Sequence, residues 1–171
     1  VPAARACDDV ELQVVRRQVE GDVGCVPTTS MGRLFDVVAS LLDVRHRVTY
    51  EAQAAIELEA LASGAAAPAP LVLPIGDDGV LDPRPLLAEL VECLVAGAPA
   101  PALALGFHHA VAGVAAASAR RVREQRSYDG PVALSGGVFQ NALLTRLTRS
   151  RLDDDGFVVL THRLVPPNDG G

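Results

Sequence analysis

An apolar run, Val132-Ala133-Leu134, leads into Ser135-Gly136-Gly137, and Val138-Phe139-Gln140-Asn141 then opens a helix-forming stretch. Strand, Ser-Gly-Gly turn and helix, in that order, build a site for a small anion or a nucleotide. The glycines allow φ > 0 and close backbone approach, and the helix start presents unpaired N–H groups and the positive end of its dipole. The same residues also serve as a plain tight turn between strand and helix. Two further stretches keep the turn company: Thr29-Ser30-Met31-Gly32-Arg33-Leu34-Phe35-Asp36 upstream, and Val165-Pro166-Pro167-Asn168-Asp169-Gly170-Gly171 at the end.

Other chemistries fail on pattern. A nucleophile elbow wants glycine two residues before its serine, and Ala133 stands there. Cys7, Cys25 and Cys93 are odd in number and lack Cys-x-x-Cys spacing, which argues against a disulfide framework or a zinc site. Cys93 falls on an apolar helix with no histidine in predictable relation to it. His108 and His109 are adjacent, so on a helix they point about 100° apart, whereas two ligands on one face need a spacing of three or four. His46 and His162 have no suitably spaced partner. Asp153-Asp154-Asp155 reads as a solvated run beside a turn, and Glu57 and Glu59 fall on opposite sides of a helix.

All fifteen basic residues are arginine, which excludes a phosphate-loop lysine, a Schiff-base lysine and a lysine general base. A net charge of −6 with 4% aromatic residues gives neither the basic field nor the stacking platform that nucleic acid requires. Arg120, Arg121, Arg123 and Arg126 cluster at a helix end, where the C-terminal dipole favours cations on a solvated face. With 49% apolar residues, the 171-residue chain is expected to be globular and to hold one domain with a core. Its apolar stretches read as broken before the length of a membrane span, and no basic-then-apolar leader opens it. The expected location is the cytoplasm.

These residues need elements to position them. Asp8 or Asp9 caps a first helix through about Glu20, with Leu12, Val15 and Val19 on one face. Thr28, Thr29 or Ser30 caps a second, whose stripe is Met31, Leu34, Phe35, Val38, Leu41 and Leu42, with Asp36 well off it. A third helix covers about Tyr50 to Ala62, and Ser63 to Pro70 is a connector. Leu71 to Ile75 reads as a short strand closed by the turn Gly76-Asp77-Asp78-Gly79, and Asp82-Pro83 starts a helix that stops at Gly97. Leu103 to Gln125 forms a long alanine-rich helix. The strand Pro131 to Leu134, the Ser-Gly-Gly turn, a helix from about Asn141 to Asp153 and the strand Gly156 to Leu160 complete an α/β layered chain.

Laid out this way, the chain resembles the C-terminal part of the HypF-type carbamoyltransferases of [NiFe]-hydrogenase maturation. Five segments carry the likeness: ELQVVRRQVEGDVGCVPTTSMGRLFDVVASLL, YEAQAAIELEALA, GFHHAVAGVAAASA, VALSGGVFQNALL and FVVLTHRLVPPNDGG. That family is similar to the universal tRNA threonylcarbamoyl-transferases and the antibiotic O-carbamoyltransferases. All are built on the fold of actin, Hsp70 and the sugar kinases. The resemblance therefore implies a partial domain of that two-lobed α/β fold over residues 1–171, helix-rich with a short-stranded sheet and truncated at both ends. It also implies transfer of a carbamoyl group from carbamoyl-adenylate, made from carbamoyl phosphate and ATP, to the C-terminal cysteine of a HypE-type acceptor protein. That group later becomes a cyanide ligand of the hydrogenase iron. No nucleic acid or membrane partner is implied.

Carried over by position, Asp36 matches the aspartate that holds the ribose hydroxyls, which suits the two acceptor oxygens of a carboxylate. A surface pair with Arg33 is its simpler explanation. Ser135, Gly136, Gly137 and Asn141 match the turn lying along the adenylate or its phosphate, with helix capping as the alternative for Asn141. Asp169 matches the aspartate that ligates a divalent metal (iron, zinc or magnesium), and otherwise reads as an Asp-Gly turn. Departures are visible. Ala52 replaces the glycine of the family's Tyr-Glu-Gly-Gln segment, and the paired metal-binding histidines, the adenylating domain, the zinc-finger region and the acylphosphatase-like domain lie upstream of the matched part. Two readings stay open beside the transferase: a non-catalytic nucleotide-binding or partner-docking fragment, and a relative in the tRNA or antibiotic branch.

Overall fold

Side-chain caps from Asp8, Asp82 and Asn141 fix the starts of three helices, whereas Ser30, at the N-cap of the helix over Met31–Leu41, makes no capping bond with its side chain. A computed structural model describes residues 2–168, and the chain divides into two compact units, Val1–Leu58 and Glu59–Gly171. In the first unit a four-residue helix α1 (Pro2–Arg5), absent from the sequence reading, precedes α2 (Asp9–Gly21). Asp8 caps α2 by accepting from the Glu11 N–H at 2.7 Å. The expected apolar face of α2 is not covered: none of its residues is buried, and Val15 and Val19 are exposed. Helix α3 (Met31–Leu41) follows its predicted stripe more closely, with Phe35, Val38 and Leu42 buried. Helix α4 (Gln53–Ser63) carries the chain into the second unit. It starts three residues later than the pattern suggests, because Ala52 takes φ 62° and cannot continue a helix.

In the second unit Asp82 caps α5 (Pro83–Val95) by accepting from the Arg84 N–H. Residues 71–75 are the chief departure from expectation. They are extended, with Leu71 and Leu73 buried and Val72 exposed, yet form only an isolated bridge between Ile75 and Leu81. Burial alternates over Leu71, Val72 and Leu73 without a partner strand. The segment just before them crosses helix α6 (Ala100–Arg126) closely: Ala69 donates to the Ala102 carbonyl at 2.9 Å. A Cβ on Gly106 would stand 2.4 Å from the Ala69 carbonyl oxygen, so only glycine permits that crossing.

Helix α6 is the spine of this unit, with ten buried residues between Leu103 and Ala116. Contrary to the sequence reading, it is long and apolar enough to cross a membrane by length and composition, since neither Gly106 nor Gly113 interrupts it. More than half of its apolar window is buried inside the protein, as a core helix requires. It packs along α7 (Ala142–Asp154), and between them Ala116, Leu152, Leu134 and Phe157 close a cluster over the sheet. The arginines at its end do more than face solvent. Arg120 pairs with Asp155 at 2.5 Å, Arg121 donates to the carbonyls of Gly76 and Asp77, and Arg123 lies over the Phe157 ring while donating to the Asp155 carbonyl.

Among the described residues the sheet has two parallel strands, β1 (Val132–Leu134) and β2 (Val159–Thr161), with Val132, Ala133 and Leu134 opposite Val159, Leu160 and Thr161. Helix α7 is their crossover, so the expected α/β layering holds in a βαβ unit. The second strand begins three residues later than predicted, after the Gly156 turn.

Candidate functional site

The turn after β1 is built differently from a strand feeding straight into a helix. Ser135 leaves the strand, Gly136 takes φ 100° and ψ 153°, and Gly137–Gln140 form a single 3₁₀ turn before α7 begins. Only Gly136 uses a positive φ, in a region essentially restricted to glycine. Its N–H donates to the Pro167 carbonyl at 2.8 Å, tying the turn to the segment that follows β2. A side chain on Gly136 would meet nothing within 4 Å, so the backbone there faces open space. Gly137 sits with its Cβ position 3.7 Å from Asn168. Ser135, Gly136, Gly137, His162, Pro167 and Asn168 line a cleft of about 510 Å³.

Asn141 is the N-cap of α7 and is buried. Its Oδ1 accepts from the Leu144 N–H at 2.7 Å, and its Nδ2 stands 3.0 Å from Nε2 of His108. His108, fully buried, places Nδ1 2.7 Å from the Ala104 carbonyl. A carbonyl only accepts, so Nδ1 carries the proton and Nε2 accepts from Asn141. Burial pushes the His108 pKa down and keeps this neutral form, opposed by its bond to the Ala104 carbonyl and the charge of Glu59. The Glu59 carboxylate also accepts from the Leu143 N–H, so two acidic or amide oxygens satisfy the first turn of α7. Asn141 thus acts on the turn by fixing the helix that follows it.

Asp36 lies in the first unit, and its Oδ2 is 3.0 Å from Arg33 Nη2, the surface pair that its spacing allows. Nearby, Arg45 donates to both carboxylate oxygens of Glu57, at 2.8 and 2.7 Å, and these bonds pull the Glu57 pKa down. Gln53, buried, accepts from the Thr49 N–H and donates to Glu57, so the Tyr50–Gln53 segment is anchored by its last residue. Ser40, His46 and Asp43 also meet, with His46 Nδ1 2.9 Å from Ser40 and Nε2 2.8 Å from Asp43. All three lie within seven residues and close the turn after α3.

A metal finds no home among the described residues, which contain no group of three or more His, Cys, Asp or Glu able to hold one. His108 uses both ring nitrogens in the core, and His109 has Nδ1 3.3 Å from Arg151. Asp169, the metal carboxylate suggested by the resemblance, lies outside the described residues. His162 was passed over as a lone histidine, yet its Nε2 is 3.0 Å from Ser135 Oγ. Reading the two strands as a parallel pair would have found it, because residues just past paired parallel strands emerge side by side.

Comparison with known proteins agrees on one family. Residues 2–171 match the family described as "Carbamoyltransferase, Kae1-like Domain, second subdomain". Carbamoyltransferase HypF of Rhodobacter capsulatus is 41% identical over 145 residues, covering 84% of this chain and 18% of that protein. The Rhizobium leguminosarum bv. viciae HypF is 39% identical over 149 residues, again 84% of this chain and 18% of the relative. The chain therefore spans about a fifth of the length of these relatives. A crystal structure of full-length HypF in the phosphate- and nucleotide-bound form superposes with a TM-score of 0.89 at 33% identity, covering 98% of this chain and 22% of the other. T. kodakarensis HypF gives 0.85 at 29% identity over 95% of this chain and 21% of the other. The fold is that of the corresponding region of HypF, and the chain belongs to the carbamoyltransferase Kae1-like domain family as its second subdomain.

Proposed function

We propose that this chain is the nucleotide-facing part of a carbamoyltransferase that moves a carbamoyl group from carbamoyl-adenylate to the C-terminal cysteine of a HypE-type acceptor, in the cyanide-ligand branch of [NiFe]-hydrogenase maturation. One observation carries the reading: the strand-turn-helix at Ser135–Gly137 presents a side-chain-free backbone to an open cleft, in a chain whose family and structural relatives are HypF proteins. That the full-length relative binds a nucleotide supports a ligand of that class as the occupant.

In this reading Ser135 and the backbone of Gly136 and Gly137 lie along the phosphate of the adenylate, where the missing side chain on Gly136 leaves room for anionic oxygens. The resemblance alone assigns the ribose hydroxyls to Asp36, whose carboxylate is paired with Arg33 in the first unit. Asn141 keeps α7 in place behind the turn through Leu144 and His108. The acceptor's sulfur bonds to the carbamoyl carbon, the bond from that carbon to the phosphate oxygen breaks with its electrons, and AMP leaves as the thiol proton is lost. The resemblance assigns one metal ligand to this chain, Asp169, and a catalytic metal takes about three protein ligands, so the chain alone is expected to bind nucleotide without catalysing transfer.

Two measurements test the proposal. Calorimetry of ATP with the 171-residue chain should show binding that Asp36→Ala weakens roughly 10- to 100-fold, since a hydrogen bond to a charged group is worth about 1.5–3 kcal/mol. Unchanged affinity in the variant contradicts the ribose assignment. A carbamoyl-transfer assay with a HypE-type acceptor should give product only from a longer protein carrying this domain. Transfer by the chain on its own would show that its catalytic groups are already present.

A further inference from the structure

β1 and β2 leave the sheet side by side. Their register sets Leu134 opposite Thr161, so Ser135 and His162 are the first residues beyond the same edge. His162 Nε2 lies 3.0 Å from Ser135 Oγ, and both side chains border the cleft into which the bare backbone of Gly136 opens. A serine hydroxyl has one proton and two lone pairs. If the ring nitrogen accepts, that proton is turned toward the imidazole and away from the cleft. If Nε2 carries the proton and donates, the hydroxyl proton is left to point at an acceptor in the cleft. An anionic oxygen selects the second arrangement.

We propose that His162 is a positioning residue of the turn: its Nε2–H donates to Ser135 Oγ and so aims the serine proton at a phosphate-class oxygen bound in the cleft. The proposal rests on the nucleotide reading of the turn given above. It adds a role for a residue on the far strand, and it makes the crossover α7 the element that brings the two halves of the contact together.

The test is ATP affinity of the 171-residue chain by calorimetry in the wild type, Ser135→Ala, His162→Ala, their double variant and His162→Gln, with thermal midpoints recorded alongside. Each alanine variant should bind about three- to ten-fold more weakly, the range of one net hydrogen bond. The double variant should bind no more weakly than Ser135→Ala, because His162 acts only through that hydroxyl. Glutamine, with an N–H at similar reach, should recover most of the loss, and melting temperatures should stay together. If the two losses multiply, or His162→Ala binds as wild type while Ser135→Ala does not, the positioning role is overturned and the turn remains the site. If Ser135→Ala has no effect or the wild type does not bind ATP, the nucleotide reading fails and the role of His162 falls with it.

Discussion

Asn141 uses both ends of its amide, toward Leu144 and toward His108, so truncating it does two kinds of damage. Losing a cap costs about 1 kcal/mol, and a buried ring nitrogen left without its donor costs about 1–3 kcal/mol. Asn141→Ala should therefore destabilise by about 2–4 kcal/mol in chemical denaturation, with helix content retained at low denaturant. A loss under about 0.5 kcal/mol would mean that the cap and the histidine bond are not formed. His108 gives the second residue-scale prediction. Burial depresses its pKa in the folded chain, so the unfolded chain binds the extra proton. Stability is intact above the ordinary histidine pKa of about 6.5 and falls as the pH drops below it toward the depressed value. His109, also lowered by burial and by Arg151, adds in the same direction. In His108→Gln the stability lost between neutral and mildly acidic pH should shrink; an unaltered loss would assign it elsewhere. Ala52 occupies φ 62°, where a Cβ is strained. Ala52→Gly should therefore raise stability by about 0.5–1 kcal/mol.

At the scale of elements, the Ser-Gly-Gly turn separates two glycines that look alike in the sequence. Gly136 sits at φ 100° and ψ 153° with nothing near its Cβ position, so Gly136→Ala should cost about 1–3 kcal/mol from the backbone alone. Gly137 would place a methyl 3.7 Å from Asn168, an ordinary contact, and Gly137→Ala should change stability by less than about 0.5 kcal/mol. Equal losses in both, measured by urea unfolding, would contradict the turn geometry. Helices were legible because their starts are written locally: Asp8 before α2, Asp82 before Pro83, and Asn141 before α7 all cap as their residue types suggest. The stripe of α3 was legible for the same reason, since Phe35, Val38 and Leu42 recur at the helical period. Residues 71–75 were not, because a short apolar run bounded by a turn marks a covered segment and says nothing of whether a strand lies beside it. The His162–Ser135 contact and the hold of Arg120, Arg121 and Arg123 on distant loops depend on topology, which no local pattern carries.

For the molecule as a whole, its place in the family rests on segments spread along nearly the entire chain, and the family match covers residues 2–171. The site was legible only in part. Ser135, Gly136 and Gly137 do border a cleft, Asn141 works behind it, Asp36 stands paired with Arg33 in the other unit, and Asp169 lies outside the described residues. In the proposed reading a chain of net charge −6 without lysine leaves phosphate binding to backbone, hydroxyl and arginine groups. The central claim is that the backbone of the Ser-Gly-Gly turn lies against a nucleotide. Calorimetric titration of ATP into wild-type chain and Gly137→Val, with thermal unfolding of both, tests it most directly. A branched side chain facing the cleft should abolish detectable binding while the unfolding midpoint and helix content stay close to wild type. Undiminished ATP binding by a folded Gly137→Val chain would contradict the claim and leave the turn as no more than the link between β1 and α7.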